Sequence, residues 1–187
     1  MIRLLCGVLS FALMLAGDLL FASMRRPVWK TAFPVGFAMC AGSTVWIAVA
    51  CAPETYAVWR LAAFGILAVV FGVLLVHALF FALPAAETYG LNGGKTAVCD
   101  SGVYALCRHP GVWWFAMLYL SLFGMGLLPL SAALVFPAAN FLYAAAQDKW
   151  VFEKTLAGYA AYKRRVPCFL PTAESVRRCM GRRGGRT

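Results

Sequence analysis

Five apolar stretches, each close to the length that crosses a bilayer, constrain this chain more than any other feature. They run over residues 4–22, 32–52, 58–83, 111–127 and 130–147, and a spanning helix needs about 20 mostly apolar residues. Composition agrees: 63% of the residues are hydrophobic and only 13% charged, about half the charged fraction of a soluble domain. The expectation is an all-α, polytopic membrane protein with about five transmembrane helices. The last two form a helical hairpin across Gly124, Gly126 and Pro129. The first stretch reads as a retained span, because its basic cluster follows it and no small-residue cleavage site precedes Arg25. The chain divides into a three-span region (1–83), a core (84–171) and a basic, disordered tail (172–187).

Charge sets the expected orientation. With five spans, segments 23–31, 84–110 and 148–187 share one side and hold fifteen of the seventeen Lys and Arg residues; Arg3 and Arg60 are the two on the other. By the positive-inside rule the N-terminus lies outside and the C-terminus is cytoplasmic. The net charge of +10 suits retention near anionic lipid headgroups, where each basic residue gains about 1 kcal/mol. The tail RRCMGRRGGR could suggest nucleic acid, but the positive-inside bias already explains it, so no nucleic-acid partner is expected. Segment 148–171, with Trp150, Val151, Leu156, Tyr159 and Tyr162 on a basic background, reads as a helix along the cytoplasmic interface.

Seven cysteines are scattered without CxxC spacing, which predicts neither a disulfide framework nor a metal site. Polar groups gather instead in segment 84–110: Glu87, Tyr89, Asn92, Lys95, Asp100, Ser101, Tyr104, Arg108 and His109, with a turn at Gly93-Gly94. Charge beside hydrocarbon is expensive, about 2.5–3.5 kcal/mol per residue on insertion scales. The doublet Arg108-His109 is therefore a candidate site. Arginine offers a planar fork for a carboxylate or phosphate, and histidine a proton near neutral pH. Pro110 would open the fourth span at a position where its missing N–H costs nothing, and the helix N-terminus beyond favours an anionic group. A snorkelling arginine and a capping histidine are the plainer alternative.

A second cluster, Gln147, Asp148, Lys149 and Glu153, closes the fifth span on the side of Arg108. Asp148 can pair with Arg108, meet a ligand ammonium, or stand as a solvated acid. Trp113, Trp114 and Trp150 are either interfacial belt residues or the wall of an apolar pocket. Asp18 and His77 lie within spans, where they pair with each other, with a neighbouring polar group, or with a ligand.

The run SGVYALCRHP, residues 101–110, resembles the G-x-Y-x-x-x-R-H-P signature of integral membrane methyltransferases. That family includes the isoprenylcysteine carboxyl methyltransferases, the phospholipid methyltransferases and bacterial relatives. The stretch QDKWVFEKTLAGYAAYKRRVPCFLP, residues 147–171, resembles its second hallmark, an acidic pair followed by a spaced tyrosine and a basic-Val-Pro ending. The departures are Gln147 for the first acid, Val103 for the usual proline and Val112 for an aromatic.

The resemblance implies S-adenosylmethionine-dependent methyl transfer to a lipophilic acceptor at the cytoplasmic face of a bacterial inner membrane. The acceptor would be an isoprenylcysteine-like carboxylate, a lipid or another small apolar molecule. It implies Arg108 and His109 as catalytic residues and Tyr104, Arg108, His109, Trp113, Gln147 and Asp148 as the cofactor site. Arg108→Ala is then expected to lose the cofactor and still fold. A sterol-reductase-like enzyme using NADPH and a non-catalytic membrane subunit are the rivals. The acceptor and the oligomeric state stay open.

Overall fold

The computed structural model describes residues 1–51, 55, 57–81, 96–98 and 101–183. Glu87, Tyr89, Asn92, Lys95, Cys99, Asp100 and the turn expected at Gly93-Gly94 lie outside the described residues.

The chain is an all-α polytopic membrane protein. Its long helices are α1 (Ile2–Met24), α2 (Ala32–Cys51), α3 (Val58–Val76), α4 (Pro110–Gly124) and α5 (Leu130–Trp150). Among the described residues four helices are long and apolar enough to cross a membrane: Ile2–Met24, Pro27–Cys51, Val58–Leu79 and Leu130–Trp150. The fourth stretch makes a shorter apolar helix of 15 residues, about 22 Å at 1.5 Å per residue. It forms the near arm of the expected hairpin with α5.

Local chemistry sets the helix ends. α1 stops where Arg25 adopts the left-handed region (φ 56°), its N–H donating to the Phe21 carbonyl at 2.9 Å. Pro27 then opens a short 3-10 turn over Pro27–Thr31 that returns the chain into α2. Pro110 starts α4 and Pro129 precedes α5, the positions where proline's missing donor does least harm.

The helices pack in the order α2, α1, α5, α4, α3. In hydrocarbon, close packing and not the hydrophobic effect holds helices together, so small residues mark the contacts. A Cβ at Gly17 would lie 2.2 Å from the Ala32 side chain, and one at Gly36 would lie 2.4 Å from Met14 and 2.8 Å from the Ser10 carbonyl. Only glycine lets α1 and α2 approach this closely. The core between them and the hairpin holds Phe11, Met14, Cys40, Ile47, Tyr119, Phe136 and Tyr143. α3 buries none of its residues over Val58–Val76 and packs chiefly on α4, so Trp59, Ile66, Val69 and Val73 stand outward.

Beyond α5 the structure differs from the single interfacial helix expected over 148–171. α6 (Phe152–Thr155) is one turn long. β2 (Leu156–Ala157) follows and pairs in parallel with β1 (Thr96–Ala97), and α7 then runs over Tyr159–Arg165. Leu156 leaves the helical region (φ −109°, ψ 133°) to enter β2, and Gly158, at φ 77°, a conformation side-chain-bearing residues rarely adopt, turns the chain into α7. Within the stretch expected to be a disordered tail, 172–187, Ala173–Arg183 is a helix, α8, and residues 184–187 lie outside the described residues. Its start is capped: the Thr172 N–H donates to Ser175 Oγ at 3.0 Å and the Ser175 N–H to Thr172 Oγ1 at 3.2 Å.

Candidate functional site

The two segments singled out in the sequence meet where α4 begins and α5 ends. Arg108 and His109 precede Pro110, and their backbone N–H groups donate to the carbonyls of Pro167 (2.9 Å) and Cys168 (3.1 Å). Asp148 occupies the last turn of α5. The Arg108 fork grips it at both oxygens, Nε to Oδ1 at 2.8 Å and Nη2 to Oδ2 at 3.0 Å. Nη1 donates to the carbonyls of Lys163 (3.0 Å) and Val166 (2.7 Å), closing the C-terminal end of α7.

Asp148 is as fully engaged as its partner. His109 Nε2 lies 3.3 Å from Oδ1, and the Tyr159 hydroxyl donates to the same oxygen. Lys163 Nζ stands 3.5 Å from Oδ2 and 3.1 Å from Glu153 Oε1. The Arg108 and Asp148 side chains are 8% and 9% exposed, so they form a buried pair and not a rim contact. Burial opposes charge on Arg108, but the bonds from Asp148 outweigh it and raise its pKa above the ordinary arginine value. Burial and the Asp148 charge push the Tyr159 hydroxyl upward as well, so it remains a neutral donor.

An aromatic wall flanks this pair. The His109 ring lies against Phe152 (centroids 5.8 Å apart, 17° between planes) and against Phe169 (5.5 Å). Trp113 donates through Nε1 to the Phe169 carbonyl at 2.8 Å and keeps 36% of its surface exposed. Tyr104 sits one layer out. Its hydroxyl donates to the Ala78 carbonyl (2.8 Å), and its own carbonyl accepts from Tyr162 (2.7 Å).

Arg108, His109, Asp148 and Trp113 are thus brought together, with Tyr104 behind them. Gln147 is not in the group. It faces α1, where its amide donates to Asp18 Oδ2 at 2.7 Å, and Tyr143 donates to the same oxygen at 2.7 Å. This is a polar clamp between α1 and α5, and it gives Asp18 neighbouring polar partners instead of His77.

Sequence reasoning did not assign Tyr159, Lys163, Phe152 or Phe169 to the site. Gly158 was the available signal, since a helix break there swings Tyr159 back towards Asp148. His109, Asp148 and Cys168 also offer ligand atoms within 4.8 Å of one another. Asp148 is already saturated by nitrogen and hydroxyl donors, however, and burial raises the Cys168 thiol above its usual pKa. Within the trio the His109 and Asp148 side chains meet at 3.3 Å, and the Cys168 carbonyl accepts from the His109 backbone N–H.

Fold and site together define a polytopic all-α membrane protein with a buried, charge-compensated junction at one end of a helical hairpin. Comparison with protein-family models, with curated proteins and with solved structures finds no match for this chain.

Proposed function

We propose that this chain is an S-adenosylmethionine-dependent methyltransferase acting on a lipophilic acceptor at the membrane face where α4 begins. The observation that carries the reading is the junction of residues 101–110 with 147–171. These are the two stretches that resemble the membrane methyltransferase motifs, and they are tied to each other by the Arg108–Asp148 pair and by two backbone bonds.

The residues fit the cofactor in part. A flat base suits the partly exposed Trp113 and the neighbouring Phe169. The amino-acid end suits Lys163 and Glu153, which stand at the rim with side chains 34% and 49% exposed. Arg108 and Asp148 do not fit as its direct partners, because each already neutralises the other. Their role is to position His109 and the carbonyl end of α7. When bound, the cofactor supplies an activated methyl group, so the protein's tasks are alignment and exclusion of water. The acceptor reaches the rim from the lipid.

Membranes containing the chain, incubated with methyl-labelled cofactor and then extracted, are expected to yield label in a lipid, a protein or a small apolar molecule. The solubilised chain should also gain thermal protection from the cofactor and its demethylated product. Protection by a nicotinamide nucleotide in their place, or by neither, overturns the proposal.

A further inference from the structure

α8 carries a surface that the site leaves unused. One side of the helix is seated on the protein: Ser175 is fully buried, and one turn later Cys179 Sγ donates to the Gly102 carbonyl at 3.6 Å. Gly102 opens the 3-10 turn Gly102–Ala105 that leads to Arg108. The helix therefore rests on the stretch of chain that delivers the site's arginine.

The side facing away has a different chemistry. Val176 and Met180, one turn apart, are 37% and 62% exposed, and Leu170 just before the helix is 65% exposed. Arg177 is exposed beside them, as are Arg164 and Arg165 at the end of α7. Exposed apolar and guanidinium groups on neighbouring short helices are satisfied together at a headgroup layer. There the apolar side chains reach below the phosphates while the cations stay level with them. Neutral headgroups would meet only the first half of that pattern, whereas an anionic leaflet meets both.

Position supports this occupant. Gly102 lies just ahead of α4, and α5 ends at Trp150 at the same end of the bundle. This places α8 at the level where the apolar helices emerge. We propose that α8, with Leu170 and the end of α7, is a docking surface for anionic phospholipid headgroups. Lipid charge, by holding α8 down, steadies the Gly102–Ala105 turn. This inference does not depend on methyl transfer.

The test uses the full chain in nanodiscs of neutral phosphatidylcholine, with and without added phosphatidylglycerol, followed by hydrogen exchange. Residues 173–183 and 101–107 are expected to exchange about tenfold more slowly in the anionic discs. Added salt should cancel the difference. Replacing Arg164, Arg165 and Arg177 together by Gln should return exchange to the rate seen in neutral discs. Equal exchange of the unsubstituted chain in both lipids overturns the proposal without reference to any variant. Slowing by polyglutamate in neutral discs also overturns it, because the surface would then suit an acidic protein.

Discussion

Arg108 has five N–H donors, and four of them are bonded to Asp148 and to the carbonyls of Lys163 and Val166. The consequence reverses the simplest expectation for this residue. Arg108→Ala would leave a buried carboxylate unpaired, at a cost of about 3–5 kcal/mol, so the fold at the junction should fail along with any ligand. Asp148→Ala should behave alike, and the double replacement Arg108→Met with Asp148→Leu should recover most of the loss. Thermal unfolding in detergent measures all three. Single variants that melt with the parent would show instead that the pair is held for a ligand. That Asp148 returns to the side of Arg108 was legible in the sequence, because it closes a hairpin arm. Tyr159 and Lys163 were not, since their approach to Asp148 depends on the positive φ of Gly158. Gln147 misled for a related reason: adjacent positions on a helix point about 100° apart, so one of the two serves the site and the other serves α1.

Helix pairs were harder to read than helices. Apolar length predicted every long helix among the described residues, but not which faces meet, because lipid and protein interior select the same side chains. Glycine was the available signal, and only some glycines carry it. Gly36 sits against Met14 and the Ser10 backbone, whereas Gly42, on the same helix, has nothing within 4 Å of its missing Cβ. Gly36→Leu should therefore destabilise the chain by about 1–3 kcal/mol through overpacking against backbone that cannot move aside. Gly42→Leu should cost little, because the new side chain enters space beside α2. Denaturation by sodium dodecyl sulfate compares the two directly, and equal midpoints would mean that α1 and α2 do not meet as described. The clamp of Asp18 with Tyr143 and Gln147 adds a polar link between α1 and α5. α8 escaped notice because its arginines suggested a solvated tail; the Thr172–Ser175 capping pair is the local signal that specifies its start.

At the scale of the whole molecule, two contacts test the arrangement independently of any membrane. Arg25, after α1, donates to the Lys154 carbonyl beyond α5, so those two helix ends coincide. Arg60, in the first turn of α3, donates to the Gly124 carbonyl at the far end of α4 at 2.9 Å. The five long helices thus run alternately between two ends of the bundle, and α4, with 15 residues, has its two ends against partners at opposite ends. The basic residues then segregate by construction: Arg25, Arg26, Lys30, Arg108 and those from Lys149 to Arg183 fall at one end, Arg3 and Arg60 at the other. Such asymmetry orients a chain with its basic end in the cytoplasm. A fluorescent protein fused after Thr187 should therefore be bright, and a phosphatase that is active only outside should work when fused ahead of Met1 and fail when fused after Thr187. If both termini report the same side, the number of crossings is even. An even number is incompatible with the Arg108–Asp148 contact between the start of α4 and the end of α5, so that result would overturn the helix arrangement itself.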